Sequence, residues 1–114
     1  MTHQFLSEKM CRLLSSLAPG FEGYWVYAYW GTSKTTSIDC RSAWGITALP
    51  ENGDKIICPA WQAEDVLKNM TAILLARKTI ALTAIHANEI ASILYTYPNT
   101  AYQKIEEYLW SVLK

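Results

Sequence analysis

The residues best suited to chemistry are two histidines, His3 and His86, and three cysteines, Cys11, Cys40 and Cys58. The cysteines are odd in number and form no C-x-x-C pair, whereas a disulfide framework needs pairs and a zinc site needs several converging ligands. We therefore expect reduced cysteines that behave as small hydrophobic residues.

A nucleophilic site needs a cysteine, a base and an orienting group. Cys40 or Cys58, His86 and Asp39 could be combined in that way, but no family-specific motif surrounds either cysteine. Glu89 follows His86 at helical spacing, which is typical of a surface pair. Two ligands are too few to hold a metal. No phosphate-binding glycine motif occurs. The sequence thus predicts no catalytic residue, no metal site and no cofactor.

Composition narrows the class of protein. The chain has 114 residues, ten basic and ten acidic, and is 51% hydrophobic, which predicts one domain that buries roughly 65% of its unfolded surface. Zero net charge provides no long-range attraction to nucleic acid or lipid. Glu8 and Lys9 interrupt any signal-peptide pattern, and Arg77 and Lys78 interrupt the longest apolar region, Met70–Ile85. We expect a soluble protein of the cytoplasm.

The chain is organised around an aromatic stretch between Gly20 and Gly31, which predicts a β-strand bounded by glycines. Alternation divides this strand into two faces, Tyr24, Val26, Ala28 and Trp30 on one and Trp25, Tyr27 and Tyr29 on the other. Neither face carries a charge. One face must cover the core, and the other needs a cover from this chain or from a partner.

An amphipathic helix is predicted before this strand, over about Gln4 to Leu17, with Thr2 as its cap. The polar run Thr32–Ser42 after the strand is interpreted as a loop at a hairpin tip, with the next strand starting near Ile38.

A second hairpin is predicted next. Strand Ala43–Leu49 and strand Lys55–Cys58 flank Asn52-Gly53, a residue pair that favours a tight type I′ turn. Centring the turn there pairs Leu49 with Ile56 and places Pro50 opposite Lys55.

Helices follow. Pro59 is predicted to open a helix with one continuous apolar stripe, which consists of Ala63, Val66, Leu67, Met70, Ile73 and Leu74. The run Thr79–Ile85 permits a short fourth strand or a helix start. Another helix resumes near His86 and stops at Pro98, and Thr100 begins the last one with the spacing of a capping box to Gln103. The predicted fold is a single α+β domain over residues 1–114, with an N-terminal helix, a three-stranded antiparallel sheet and three further helices.

Aromatic residues provide the main functional signal. Five Trp and seven Tyr exceed what a core of this size needs, and these residues dominate protein–protein hot spots. A base-stacking surface would also need a basic groove, yet between Gly20 and Trp61 only Lys34, Arg41 and Lys55 are positive. Protein recognition is therefore favoured over nucleic-acid binding.

The sequence predicts a non-catalytic protein-binding module, of the bacterial inhibitor or immunity type, that masks a toxin or enzyme through an aromatic patch. This prediction is based on elimination and size. The predicted partner-binding residues are Trp25, Tyr27, Tyr29, Lys34, Asp39, Arg41 and Trp44. The alternative is a small-ligand-binding or enzymatic domain, with a homodimer that buries the aromatic face as its structural variant.

Overall fold

A computed structural model describes residues 4–76 and 83–113 of the chain. The elements, in chain order, are α1 (Glu8–Leu17), β1 (Trp25–Trp30), β2 (Thr35–Cys40), α2 (Arg41–Thr47), a 3₁₀ turn (Pro50–Asn52), β3 (Lys55–Pro59), α3 (Ala63–Lys68), α4 (Met70–Ala76), α5 (Thr83–Thr96) and α6 (Ala101–Val112). This arrangement confirms the predicted α+β class, with an N-terminal helix, one antiparallel sheet and several helices.

The sheet has the order β2-β1-β3, so the aromatic strand β1 is central. Both neighbours of β1 are antiparallel to it. Trp25 lies opposite Cys40 on β2, and Tyr27 lies opposite Cys58 on β3, with a register shift directly after Tyr27.

The main core lies between the helices and one face of the sheet. Its largest fully buried side chain is Trp61, whose indole Nε1 donates to the Ser15 hydroxyl on α1 at 3.0 Å and whose ring meets Phe21 edge-on at 4.2 Å. Leu14 from α1, Ile73 from α4 and other apolar residues complete this cluster. Among the described residues, no helix is long and apolar enough to cross a bilayer.

The polar run after β1 is a strand rather than a loop. Only residues 31–34 form the turn, and β2 begins at Thr35, so the predicted loop over Thr32–Ser42 is wrong in extent. β-Branched residues such as Thr35, Thr36 and Ile38 favour extended backbone. Pairing with β1 provides hydrogen bonds to the backbone of β2, and this pairing does not require an apolar face.

The stretch Ala43–Leu49 was expected to be a strand, and this prediction is wrong because α2 occupies most of it. Its alanines tolerate helical backbone well. Packing decides the choice, since the second face of β1 requires a cover and α2 packs on β1 and β2. Val26 and Ala28 on that face are fully buried.

The predicted hairpin around Asn52-Gly53 is also wrong. Of these two residues only Gly53 adopts a positive φ, +87°, and it caps the 3₁₀ turn that begins at Pro50. A type I′ turn needs positive φ at both central residues. The strand predicted over Lys55–Cys58 exists as β3, but it pairs with β1, so neither the Leu49–Ile56 pairing nor the Pro50–Lys55 pairing forms.

Two helix starts differ from prediction. Ser7 caps α1 by accepting a hydrogen bond from the Met10 backbone N–H at 3.2 Å, while the predicted cap, Thr2, lies outside the described residues. Pro59 ends β3 instead of opening a helix. The helix α3 begins later because Gln62 and Asp65 form a reciprocal capping box.

Further along the chain, the predicted apolar stripe is buried as expected at Val66, Met70 and Ile73, although Asn69 divides it between α3 and α4. Residues 79–82 of the ambiguous segment lie outside the described residues, and Thr83 begins α5 rather than continuing a strand. Ala101 begins α6 after Thr100, but no side-chain capping bond forms there.

Candidate functional site

The strand β1 presents different surroundings on its two faces. On the first face, the Tyr27 ring packs on the main core and its hydroxyl donates to the Leu6 carbonyl. Burial is the main cause that raises the pKa of the Tyr27 phenol well above its usual range. Trp25 is half-buried and meets Phe5 edge-on at 5.9 Å. The predicted contact residues Trp25 and Tyr27 therefore lie on the face of β1 that is directed at the core.

The second face of β1 is covered by α2. The Trp30 and Trp44 rings lie 6.0 Å apart on this side, and the Trp30 Nε1 donates to the Ser37 hydroxyl at 2.9 Å. The Trp44 Nε1 is buried and has no hydrogen-bond partner in the described part of the chain. Aromatic side chains thus form a second, smaller layer outside the main core.

Several apolar side chains near this layer remain exposed. Ile46 on α2 is 85% exposed, Tyr24 before β1 is 63% exposed and Leu49 after α2 is 49% exposed. Together with the half-buried Trp44 they form what we call the α2 surface. After Arg41, α2 carries no charged residue. Protein interfaces are depleted of charge and enriched in aromatic residues at their centres, so the α2 surface has the composition of a contact site.

Arg41 fixes the position of α2. Its backbone N–H donates to the Tyr24 carbonyl at 2.8 Å, and its guanidinium donates to the carbonyls of Glu22 and Gly23. The residue predicted to bind a partner thus also holds the segment before β1 against the start of α2.

Of the remaining predicted site residues, Lys34 and Asp39 lie near the two ends of β2, and Tyr29 lies on β1. Lys34 is exposed in the turn with a positive φ of 56°. Asp39 is half-buried, and its Oδ1 accepts from the Cys40 backbone N–H at 3.0 Å. Tyr29 is half-buried on the core-facing side of β1, opposite Thr36.

The predicted patch is therefore divided between two faces. Trp25, Tyr27 and Tyr29 belong to the face directed at the core, whereas Trp44 belongs to the α2 surface. Sequence reasoning missed Tyr24, Ile46 and Leu49 as members of this surface. The available signal was the lack of charge between Ser42 and Leu49, but interpreting this stretch as a strand concealed which side chains would be exposed.

One thiol next to this surface differs from the others. The pKa of Cys40 is lowered, mainly by the backbone N–H of Ala43, with contributions from the hydroxyls of Ser42 and Tyr24. The pKa of Tyr24 is raised in turn, chiefly because its hydroxyl bonds to the Cys40 sulfur. The thiol consequently ionises before the phenol. Burial has the opposite effect at Cys58 and Cys11, raising their pKa values to about 11 and about 12.

The other residues considered for chemistry are dispersed. Cys58 is buried on β3, whereas His86 lies on α5 with its Nδ1 2.6 Å from the Tyr108 hydroxyl. Within residues 4–76 and 83–113, no cluster of His, Cys, Asp or Glu residues could hold a metal ion, and no enclosed pocket is present.

Comparisons with protein-family models, with curated proteins and with solved structures gave no match.

Proposed function

We propose that the chain is a non-catalytic protein-binding module that acts in the cytoplasm of a bacterium and masks a toxin or enzyme. The observation that supports this proposal best is the α2 surface, where Ile46 is 85% exposed on a helix without charge after Arg41. Exposed apolar side chains are unfavourable in water, and several of them on one segment often mark an interaction site.

The surface is also preorganised. The Trp44 and Trp30 rings lie 6.0 Å apart on the side of α2 that covers β1. The guanidinium of Arg41 holds the first turn of α2 by donating to the Gly23 carbonyl. A binding surface that is already rigid loses little conformational entropy on association, which favours affinity. Ile46 and Leu49 are available to enter a pocket of the partner, and Tyr24 adds an aromatic ring with a polar end.

Affinity capture from the native host tests the proposal. The baits are the wild-type chain, Ile46→Asp and Ile85→Asp. Ile85 is 63% exposed on α5, so the same substitution there adds the same charge at a different apolar position. The expected result is one protein retained by the wild type and by Ile85→Asp but lost with Ile46→Asp, and its activity should fall when the wild-type chain is added.

Equal retention by all three baits would contradict the α2 surface. Loss of the captured protein with Ile85→Asp alone would show that the contact site lies on α5. A retained protein whose activity is unaffected by saturating chain would contradict masking while leaving binding intact.

A further inference from the structure

The two faces of the sheet are covered by separate layers. Val26 and Ala28 are fully buried on the second face of β1, where α2 packs on β1 and β2. Among the described residues, the main core cluster includes neither of these side chains and no residue of α2. Removing α2 would therefore uncover one face of the central strand and leave the main core closed.

The helix α2 is weakly held along its length. None of its seven residues is buried, and no side chain caps its first turn. A helix this short, with Gly45 in its interior, is marginal on its own. The Trp44 ring contacts the sheet 6.0 Å from the Trp30 ring, but its buried Nε1 has no hydrogen-bond partner in the part of the chain that the structure describes. A buried donor without a partner destabilises the closed arrangement, and water would satisfy it on opening.

Two polar contacts hold this segment at its ends. At the start, the Arg41 guanidinium donates to the carbonyls of Glu22 and Gly23. At the other end, the Leu49 N–H donates to the Asp54 carboxylate at 2.9 Å. Both contacts lie outside the main core, so breaking them to release the helix does not require the main core to open.

We propose that α2 is a local cover that opens from the sheet while the main core stays folded. In the open form residues 41–49 leave the second face of β1, Val26 and Ala28 become accessible to solvent, and water accepts from the Trp44 Nε1. The closed form remains the major species, because opening exposes the apolar side chains beneath α2. Segments with few buried contacts are those that open below the free energy of global unfolding.

This inference does not depend on the proposed function, because it is measured on the purified chain. The α2 surface exists only in the closed form, so a partner that binds there should suppress the opening. A failed capture experiment would leave the local opening intact, and a chain without local opening would leave the contact site intact.

Amide hydrogen exchange followed by NMR tests the opening. The Ala48 N–H donates to the Trp44 carbonyl at 2.9 Å at the end of α2, and the Ile73 N–H donates to the Asn69 carbonyl at 3.0 Å in the main core. After correction for intrinsic rates, Ala48 should exchange at least about 30-fold faster than Ile73, because only the second amide requires global unfolding.

Substitutions in the two layers separate the two routes of exchange. Ile105→Val, at a fully buried position of α6, should speed exchange at Ile73 about fivefold by weakening the main core and leave Ala48 unchanged. Gly45→Ala is the matched variant in the cover. It favours the closed helix and should slow Ala48 about threefold, and Ile73 by the same factor, since global unfolding also releases α2.

Thiol labelling tests whether the opening uncovers β1. In a Cys40→Ser background, Val26→Cys introduces a thiol beneath α2 with little change in volume. Cys11 is fully buried in the main core of the same chain and serves as the internal control. The introduced thiol should react with iodoacetamide at least about tenfold faster than Cys11, because local opening is enough to expose it.

Equal exchange rates at Ala48 and Ile73 would overturn the proposal. So would equal acceleration of both amides by Ile105→Val, because α2 would then open only with the whole chain. Fast exchange at Ala48 together with an introduced thiol that reacts no faster than Cys11 would show fraying of the helix end instead of an opening cover. Unchanged circular dichroism spectra verify that the variants fold.

Discussion

Gly31, directly after β1, lies in a crowded environment. A Cβ atom added there would lie 1.5 Å from the Asn52 carbonyl oxygen, whereas one added at Gly45 on α2 would meet no atom within 4 Å. The two glycines therefore have different roles. The first permits the backbone of the β1–β2 turn to approach the 3₁₀ turn closely, and the second only reduces the intrinsic stability of a short helix.

Substituting these glycines separates the two effects. Gly31→Ala should lower the free energy of unfolding by about 3 kcal/mol, because the backbone must shift to remove the clash. Gly45→Ala should raise it by about 0.5–1 kcal/mol, since alanine is the better helix former. Urea denaturation measures both. A Gly31→Ala variant as stable as the wild type would show that these two turns are not in close contact.

The cysteines should differ strongly in reactivity. Burial raises the pKa of Cys11 to about 12, so its thiolate fraction near neutral pH is on the order of a thousandfold smaller than that of a free thiol. The pKa of Cys40 is lowered, first by the Ala43 backbone N–H.

Alkylation of the native chain with iodoacetamide at about pH 8 should therefore modify Cys40 first, and Cys58 and Cys11 only after unfolding. Peptide mass spectrometry identifies the sites. Cys40→Ser serves as the control, because it should eliminate the fast phase. A fast phase that persists in this variant would contradict the assignment.

At the scale of elements, Asp54 connects the turn after β1 to the chain before β3. Its Oδ1 accepts from the Gly31 N–H at 2.8 Å and its Oδ2 accepts from the Leu49 N–H at 2.9 Å. One carboxylate thus holds the far end of the α2 segment against the central strand. This contact explains how the segment after α2 is fixed without a hairpin turn.

Removing this carboxylate should be costly. Asp54→Ala should lower the free energy of unfolding by about 2 kcal/mol, because two backbone N–H groups lose a charged acceptor. Asp54→Asn should cost less, since one oxygen remains to accept. Thermal denaturation measures both, with the exposed Glu51→Ala as a control of little effect. Equal stability of Asp54→Ala and Glu51→Ala would contradict the role of Asp54.

Elements determined by local signals could be predicted from the sequence, and elements determined by packing could not. The aromatic residues between Gly20 and Gly31 predict the strand β1, and β3 is also predicted at its observed position. The region 43–49 has no strong local preference, so its structure depends on the uncovered face over Val26 and Ala28. The Asn52-Gly53 signal also misled, because a single positive φ at Gly53 is compatible with a 3₁₀ turn.

For the whole molecule, alkaline pH should be destabilising. Burial raises the pKa of Cys11 from 9.0 to about 12 and that of Cys58 from 9.0 to about 11, and it also raises that of Tyr27. The unfolded chain loses these protons first, so the free energy of unfolding falls as the pH rises above 9. The stability contributed by these protonated groups is complete below that pH.

Denaturation midpoints measured between pH 8 and pH 12 test this expectation. Cys11→Ala is the informative variant, because it should reduce the slope of stability against pH whatever its effect on stability at neutral pH. A slope equal to that of the wild type would show that Cys11 does not retain its proton in the folded chain.

The site could be predicted less completely than the fold. Composition favours a protein contact, and Trp44, one of the predicted contact residues, lies on the α2 surface. Trp25 and Tyr27 could not be assigned to a face because alternation separates the two faces without indicating which one meets the core. That choice depends on where α1 and α2 pack, which is a property of the whole molecule.

The most direct test of the central claim is a calorimetric titration of the protein captured by the wild-type chain. We predict that Ile46→Asp raises Kd at least about 30-fold, the effect of losing a hot-spot side chain, while Ile85→Asp leaves it within about twofold. Equal affinities for the wild type and Ile46→Asp, or a loss of affinity confined to Ile85→Asp, would contradict the assignment of the α2 surface as the contact site.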